Sequence, residues 1–118
     1  MAKKHEEVDN LTWAVVSDEE VYNEFSSGTP DASAYRWLMK MLYDRASSPQ
    51  TRPKHLLFMG LAYYDNRGIN HAVPHLLSFQ SQESLDEISS YVTDDYYAFL
   101  DDNEGYSIEE GIMQIGVG

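Results

Sequence analysis

The sequence has no cysteine among its 118 residues, which excludes disulfides and thiolate metal sites together. It has no apolar run near the ~18 residues that a membrane-spanning helix needs. Cations are scarce: 8 Lys and Arg stand against 20 Asp and Glu, for a net charge of −12, and none follows Arg67. A chain of that sign is unsuited to bare nucleic acid or an anionic membrane, both of which need the opposite charge. The opening MAKKHEEVDN carries two lysines with no apolar stretch behind them, so it does not read as a secretory signal. A soluble, cytoplasmic protein is the expectation from these absences.

What is present argues for a packed fold. Hydrophobic residues make up 42% and aromatics 13%, too much for a disordered acidic tail. The length fits one domain, residues 1–118, with a modest core. Charge is segregated along it. Met1–Pro30 is net −5, Asp31–Arg67 is net +3, and Gly68–Gly118 holds ten acids with no Lys or Arg. Such asymmetry points to a directed surface field more than to general solubility.

Local patterns give a coarse map. Asn10–Val16, NLTWAVV, is short, β-branched and aromatic, and reads as a strand. Ser17 with Glu20 three residues on has capping-box spacing, so a helix is expected over Asp18–Phe25. Asp31 is placed to cap a second helix, Ala32–Ala46, whose apolar stripe is Tyr35, Leu38, Met39 and Leu42, with Arg36, Lys40 and Asp44 off it. SSPQTRP breaks the chain. KHLLFMGLAYYDNRG is either a buried helix or a strand turning at Asp65–Gly68, and its aromatic end favours a strand. Pro74 rules out an uninterrupted helix through INHAVPHLLSFQ. Leu56, Leu57, Phe58, Leu61, Tyr63 and Leu76 are the expected core of this region. The apolar end of YSIEEGIMQIGVG suits a last strand.

The stretch ESLDEISSYVTDDYYAFLDDNEG carries the strongest functional pattern. Ser84 and Glu87 repeat the capping-box spacing. At 100° per residue Leu85, Ile88, Val92, Tyr96 and Phe99 share one face, and Asp86, Glu87, Asp94 and Asp101 the opposite one, with Asp95 and Asp102 beside it. A helix of ~1.5 Å rise would set Glu87, Asp94 and Asp101 in a column about 10 Å apart. No Lys or Arg is interleaved at i+4 to offset their repulsion, and the acids continue through Glu104, Glu109 and Glu110. Rows of fixed negative charge resemble a nucleic-acid backbone and suit a Lys/Arg groove.

On the clusters Asp18-Glu19-Glu20, Asp86-Glu87, Asp94-Asp95, Asp101-Asp102 and Glu109-Glu110, with size and lack of cysteine, the chain resembles the small acidic DNA-mimic proteins. Within them it is most similar to the neisserial mimic that binds the histone-like protein HU. The resemblance implies a monomeric inhibitor that occupies the DNA-binding surface of a nucleoid or other basic DNA-binding protein and competes with DNA. Its binding residues would be the five clusters and Glu104. The basic middle segment departs from the all-acidic surface of phage antirestriction mimics and favours a localised acidic face.

Other chemistries find little purchase. DDNEG lacks the glycine position of a calcium loop. His71 and His75 have a helical metal spacing, but Pro74 lies between them and no third ligand is near. There is no nucleophile elbow, phosphate-binding loop or dinucleotide fingerprint. The reading is therefore an α+β fold, a small sheet packed by about three helices, with no enzyme activity, cofactor or metal. The alternative is a non-enzymatic interaction module that uses the aromatic and apolar surface around Trp37 and Tyr63-Tyr64, its acidity serving solubility alone.

Overall fold

A computed structural model describes residues 2–9, 11–63, 76–80, 92–104 and 111–118. Its order is α1 (Ala2–Asp9), α2 (Asp18–Phe25), α3 (Ser33–Asp44), β1 (His55–Leu56), β2 (Ala62–Tyr63), β3 (Leu76–Leu77), β4 (Phe79–Gln80), β5 (Val92–Thr93) and β6 (Gly116–Val117). One-turn 3-10 helices at Pro49–Thr51 and Asp95–Ala98 complete it. The α+β class expected from the sequence holds, with three α-helices among the described residues.

Helix α2 starts where its capping box dictates. Ser17 is extended, its hydroxyl accepts the Glu20 N–H at 3.3 Å, and the Glu20 carboxylate accepts the Ser17 N–H at 2.9 Å. The helix buries Val21 and Tyr22 and ends in a left-handed pair, Ser27 at φ 55° and Gly28 at φ 79°. That turn lets the Gly28 N–H reach back to the Tyr22 carbonyl at 2.8 Å, and the positive φ suits glycine. The cap position of α3 falls on Ala32 and not on the expected Asp31, whose carboxylate accepts the Ser33 N–H at 2.8 Å from one residue farther out. The helix stops at Asp44, two residues short of the expected end.

The strands pair in short ladders. β1 and β6 are parallel, with His55 opposite Gly116 and Leu56 opposite Val117. β2 and β3 are parallel, with Ala62 opposite Leu76, and β4 and β5 are antiparallel, with Phe79 opposite Thr93. The apolar run from residue 55 is thus extended, and the final strand is present as β6.

One core gathers Val21, Tyr22, Ala34, Tyr35, Leu77 and Tyr97, and a second gathers Met39, Ala98, Leu100 and Ile115; Leu56 and Val117 pack against both. The β1–β6 pair is therefore the seam between them. Tyr35, Phe58 and Tyr97 meet edge-to-face with centroids 5.1–5.7 Å apart, and Phe79 stacks on Tyr96 at 3.8 Å. The edge-to-face contacts are of the kind that aromatic quadrupoles favour. Tyr97 donates to the Leu77 carbonyl at 2.7 Å, and the Tyr22 and Tyr35 hydroxyls bond each other.

Three expectations are corrected. Leu11–Val16, the described part of the expected Asn10–Val16 strand, is not a strand: it has no ladder partner among the described residues, and Trp13 instead donates to Glu6 of α1 at 2.9 Å. β-branched side chains favour a pleated surface only where a neighbouring strand and a buried face exist. Residues 92–102 do not form the expected α-helix but run as β5, a one-turn 3-10 helix and a bend. The reason lies in YYAFL: Tyr96 to Leu100 are all buried, whereas an amphipathic helix would expose part of any five consecutive residues. Leu57 and Leu61, expected in the core, face outward, while Leu56, Phe58 and Leu76 do pack inward. The turn at Asp65–Gly68, Pro74 and the Ser84–Glu87 box lie outside the described residues, as does the Tyr63 side chain.

Candidate functional site

The best-ordered polar constellation is built by α3 against the turn that follows the buried YYAFL run. Arg36, Lys40 and Asp44 are spaced four apart and so share a helix face. Arg36, placed off the stripe by its sequence position, is only 6% exposed. Its guanidinium donates from Nε to the Phe99 carbonyl at 2.7 Å and from Nη2 to the Glu104 carbonyl at 2.9 Å. It also lies 5.5 Å from the Trp37 ring centroid and 5.7 Å from that of Tyr96, near enough for cation–π attraction. One turn on, Lys40 Nζ donates to the Leu100 carbonyl at 2.9 Å and to Asp102 Oδ1 at 2.7 Å, and lies 3.2 Å from Asp44 Oδ2.

The turn answers with its own acids. Glu104 accepts the Ile112 N–H through Oε1 at 2.9 Å and the Asp101 N–H through Oε2 at 3.2 Å. Gln114 accepts the Leu100 N–H at 2.7 Å and donates to Asp101 Oδ2 at 3.2 Å. The hydrogen bond from Lys40 holds the Asp102 carboxyl below the usual carboxylate range, and the same bond raises the Lys40 ammonium above its own. Two cations from the basic middle third thus fasten a turn of the acidic last third.

The sequence-selected acids therefore go to different places. Asp18, Glu19 and Glu20 form the first turn of α2, where Glu20 completes the cap; its bond from the Ser17 backbone holds its carboxyl below the usual range. Asp94 and Asp95 open the 3-10 turn, and the Asp95 N–H bonds to Thr93 Oγ1 at 3.1 Å. Asp101, Asp102 and Glu104 belong to the clamped turn. Asp86, Glu87, Glu109 and Glu110 lie outside the described residues, as do His71 and His75. The 94–102 half of the expected column has no helix to align it, and Asp102 is paired with Lys40. Sequence reasoning missed the burial of Arg36. The signal was its place between Tyr35 and Trp37 on the helix nearest to a segment with no cation of its own.

Beside the clamp, α2 and α3 enclose an open groove of about 410 Å³ lined by Glu24, Phe25, Trp37, Lys40, Met41 and Asp44. Trp37 is 48% exposed on its wall. Among the described residues no three His, Cys, Asp or Glu side chains converge on a metal position, and no helix is long and apolar enough to cross a membrane.

Comparison with known proteins gives the fold its context. No curated protein matches the chain. Among solved structures it is similar to dimeric latent PorU from Porphyromonas gingivalis, with a TM-score of 0.76 and 34% identity over 99% of this chain. The chain spans 12% of the PorU chain. The sequence model of Peptidase family C25 matches residues 1–118. These matches overturn the DNA-mimic resemblance, and with it the roles of HU binder, nucleoid-protein inhibitor and DNA competitor. They equally correct the expectation of a chain unrelated to enzymes. Acidity and length misled because any acidic chain of this size shares them, whereas the family match covers every residue: the chain belongs to Peptidase family C25.

Proposed function

We propose that this chain is a framework part of a C25 peptidase, folding as an α+β segment on which the hydrolytic groups of a larger protein are mounted. The observation that carries the reading is the PorU likeness, 34% identity and a TM-score of 0.76 over 99% of this chain but 12% of the other. Peptide hydrolysis needs an activated nucleophile with its base, or a metal-held water. The chain has no cysteine, so a thiolate nucleophile would come from beyond these residues. Its contribution is rigidity: Arg36 and Lys40 fix the Phe99–Glu104 turn, and the ladder between β1 and β6 ties distant parts of the sequence together.

An antibody raised to the chain tests this in the cells that make it. We expect an immunoblot product well above 13.5 kDa and peptide-cleaving activity in the immunoprecipitate. A 13.5 kDa product whose precipitate cleaves no member of a random peptide library would overturn the reading. We also place the protein in the cytoplasm, on its lack of cysteine and its −12 charge; recovery in the membrane or extracellular fraction would defeat that part.

Exposed Trp37 and its groove favour a second reading, an interaction surface on the same segment. Its mark is partner binding that survives half-molar salt and is lost in Trp37→Ala. The Tyr63-Tyr64 half of that surface lies outside the described side chains.

A further inference from the structure

The composition of Leu11–Val16 and its surroundings do not match. The run LTWAVV holds one polar side chain, Thr12, among β-branched, aromatic and aliphatic ones. Near-continuous apolar runs of this kind mark strands buried on both faces of a parallel sheet. Yet Trp13, Val15 and Val16 are 40%, 79% and 53% exposed. Adjacent positions on an extended segment point to opposite sides, so the exposure of Val15 and Val16 together leaves both faces bare. The segment runs without turn or bend, has no positive φ, and enters the α2 cap through an extended Ser17. No backbone amide or carbonyl of Leu11–Val16 makes a hydrogen bond among the described residues. It keeps the course of a strand and lacks the neighbour.

Chain order says what kind of sheet it belongs to. An extended run, the helices α2 and α3, and then β1 follow one another as in a β–α–β unit, and the ladders β1–β6 and β2–β3 are parallel. Unpaired amides and carbonyls beside exposed valines are a template for another strand, and native proteins seldom leave one uncovered. A helix could cover the side chains but could not form the ladder, since its own backbone bonds are internal. From this we infer that Leu11–Val16 is a sheet strand of the whole peptidase, paired in parallel with a strand supplied by polypeptide beyond these 118 residues. The rest of this sequence offers no match for it. Residues 64–75, YDNRGINHAVPH, carry a turn signal and a proline; 81–91, SQESLDEISSY, are mostly polar; 105–110, GYSIEE, end in two acids. None of the three sets more than two hydrophobic residues side by side, so none repeats the apolar run that such a strand needs. The same segment of a second copy, related by a two-fold axis, would meet it antiparallel. The likeness to PorU leaves ample chain outside, since this segment spans 12% of that one. The inference rests on the peptidase reading, which supplies the further polypeptide.

Hydrogen exchange on the native protein reads the pairing, and a crosslink reads its source. At least alternate amides of Leu11–Val16 should exchange about 100-fold more slowly than in a free peptide of the same sequence. Photo-leucine incorporated into the native protein places a crosslinker at Leu11 with little change of shape, and irradiation should join it to a position outside residues 1–118. Exchange at the free-peptide rate would overturn the inference. Protected amides would overturn it as well if crosslinks from Leu11 stay within residues 1–118, reach the same segment of a second copy, or fail to form. If the native product is large and active yet gives one of these results, only the paired strand is lost. A 13.5 kDa product would remove the peptidase reading and the strand together.

Discussion

Two kinds of residue hold this structure in unequal ways. Arg36 is a buried cation that donates to the backbone carbonyls of Phe99 and Glu104. Its removal leaves carbonyls without donors in a water-poor place, and hydrogen bonds to charged groups are worth roughly 1.5–3 kcal/mol each. Arg36→Ala should therefore cost about 3 kcal/mol in urea unfolding. Arg36→Lys should recover less than half, because an ammonium cannot span both carbonyls as the planar fork does. The tyrosines act through protonation. Burial raises the phenols of Tyr22, Tyr35 and Tyr97 above their ordinary value near 10, with the Tyr35 hydroxyl adding to the effect at Tyr22 and the Asp94 charge at Tyr97. Below about pH 10 both folded and unfolded chains keep these protons, and the stabilisation is complete. As pH rises further the unfolded chain ionises first, so stability falls until the raised folded values are passed. Melting temperature should drop steeply above pH 10, with a jump in tyrosinate absorbance at unfolding. Tyr97→Phe should soften that slope while costing about 1 kcal/mol at neutral pH through loss of the bond to the Leu77 carbonyl.

At the scale of elements, what could be read from the sequence depended on whether the determining contacts were local. α2 was legible to the residue because Ser17 and Glu20, which fix its start, are three apart. Ser17→Ala should lower stability by about 1 kcal/mol, and circular dichroism should show the loss confined to a small fraction of the helical signal; Ser17→Thr should be nearly silent. α3 was legible to within two residues for the same reason, through Asp31. The strand at β6 and the extended run at β1 were visible as apolar segments, but their faces were not. With Leu56, Leu57, Phe58 and Met59 all apolar, alternation carries no information about which side is inward. The 92–104 region failed for the opposite reason. Its helical periodicity is real in Val92, Tyr96 and Phe99, yet Tyr97, Ala98 and Leu100 are buried as well, and a partner 60 residues away, α3, decides the conformation. The acidic turn was unreadable in one respect: Lys40, which pairs with Asp102, is remote from it in sequence.

For the whole molecule the question is whether charge helps or opposes folding. Among the described residues Lys40 makes the ion pairs, to Asp44 and Asp102, and the side chain of Asp102 is 89% exposed. Exposed pairs of this kind contribute on the order of 0–1 kcal/mol and weaken with salt. Against them stands a net charge of −12, whose self-repulsion disfavours the compact state. The repulsion is spread over distances comparable with the ~10 Å screening length at 0.1 M salt, so it is screened more readily than a contact at 2.7 Å. The two effects respond to salt with opposite sign, and the long-range one involves many more charges. Raising NaCl from about 10 mM to about 300 mM should therefore raise the melting temperature by roughly 3–5 °C. Asp102→Asn should keep nearly all of that rise, because it removes one repulsive charge and one weak pair together. Lys40→Met should lower the starting value while keeping the rise, since it strands the Leu100 carbonyl and leaves the surrounding acids to salt alone. A melting temperature that falls with salt would mean that ion pairs outweigh repulsion in this fold, contrary to the charge balance of its sequence.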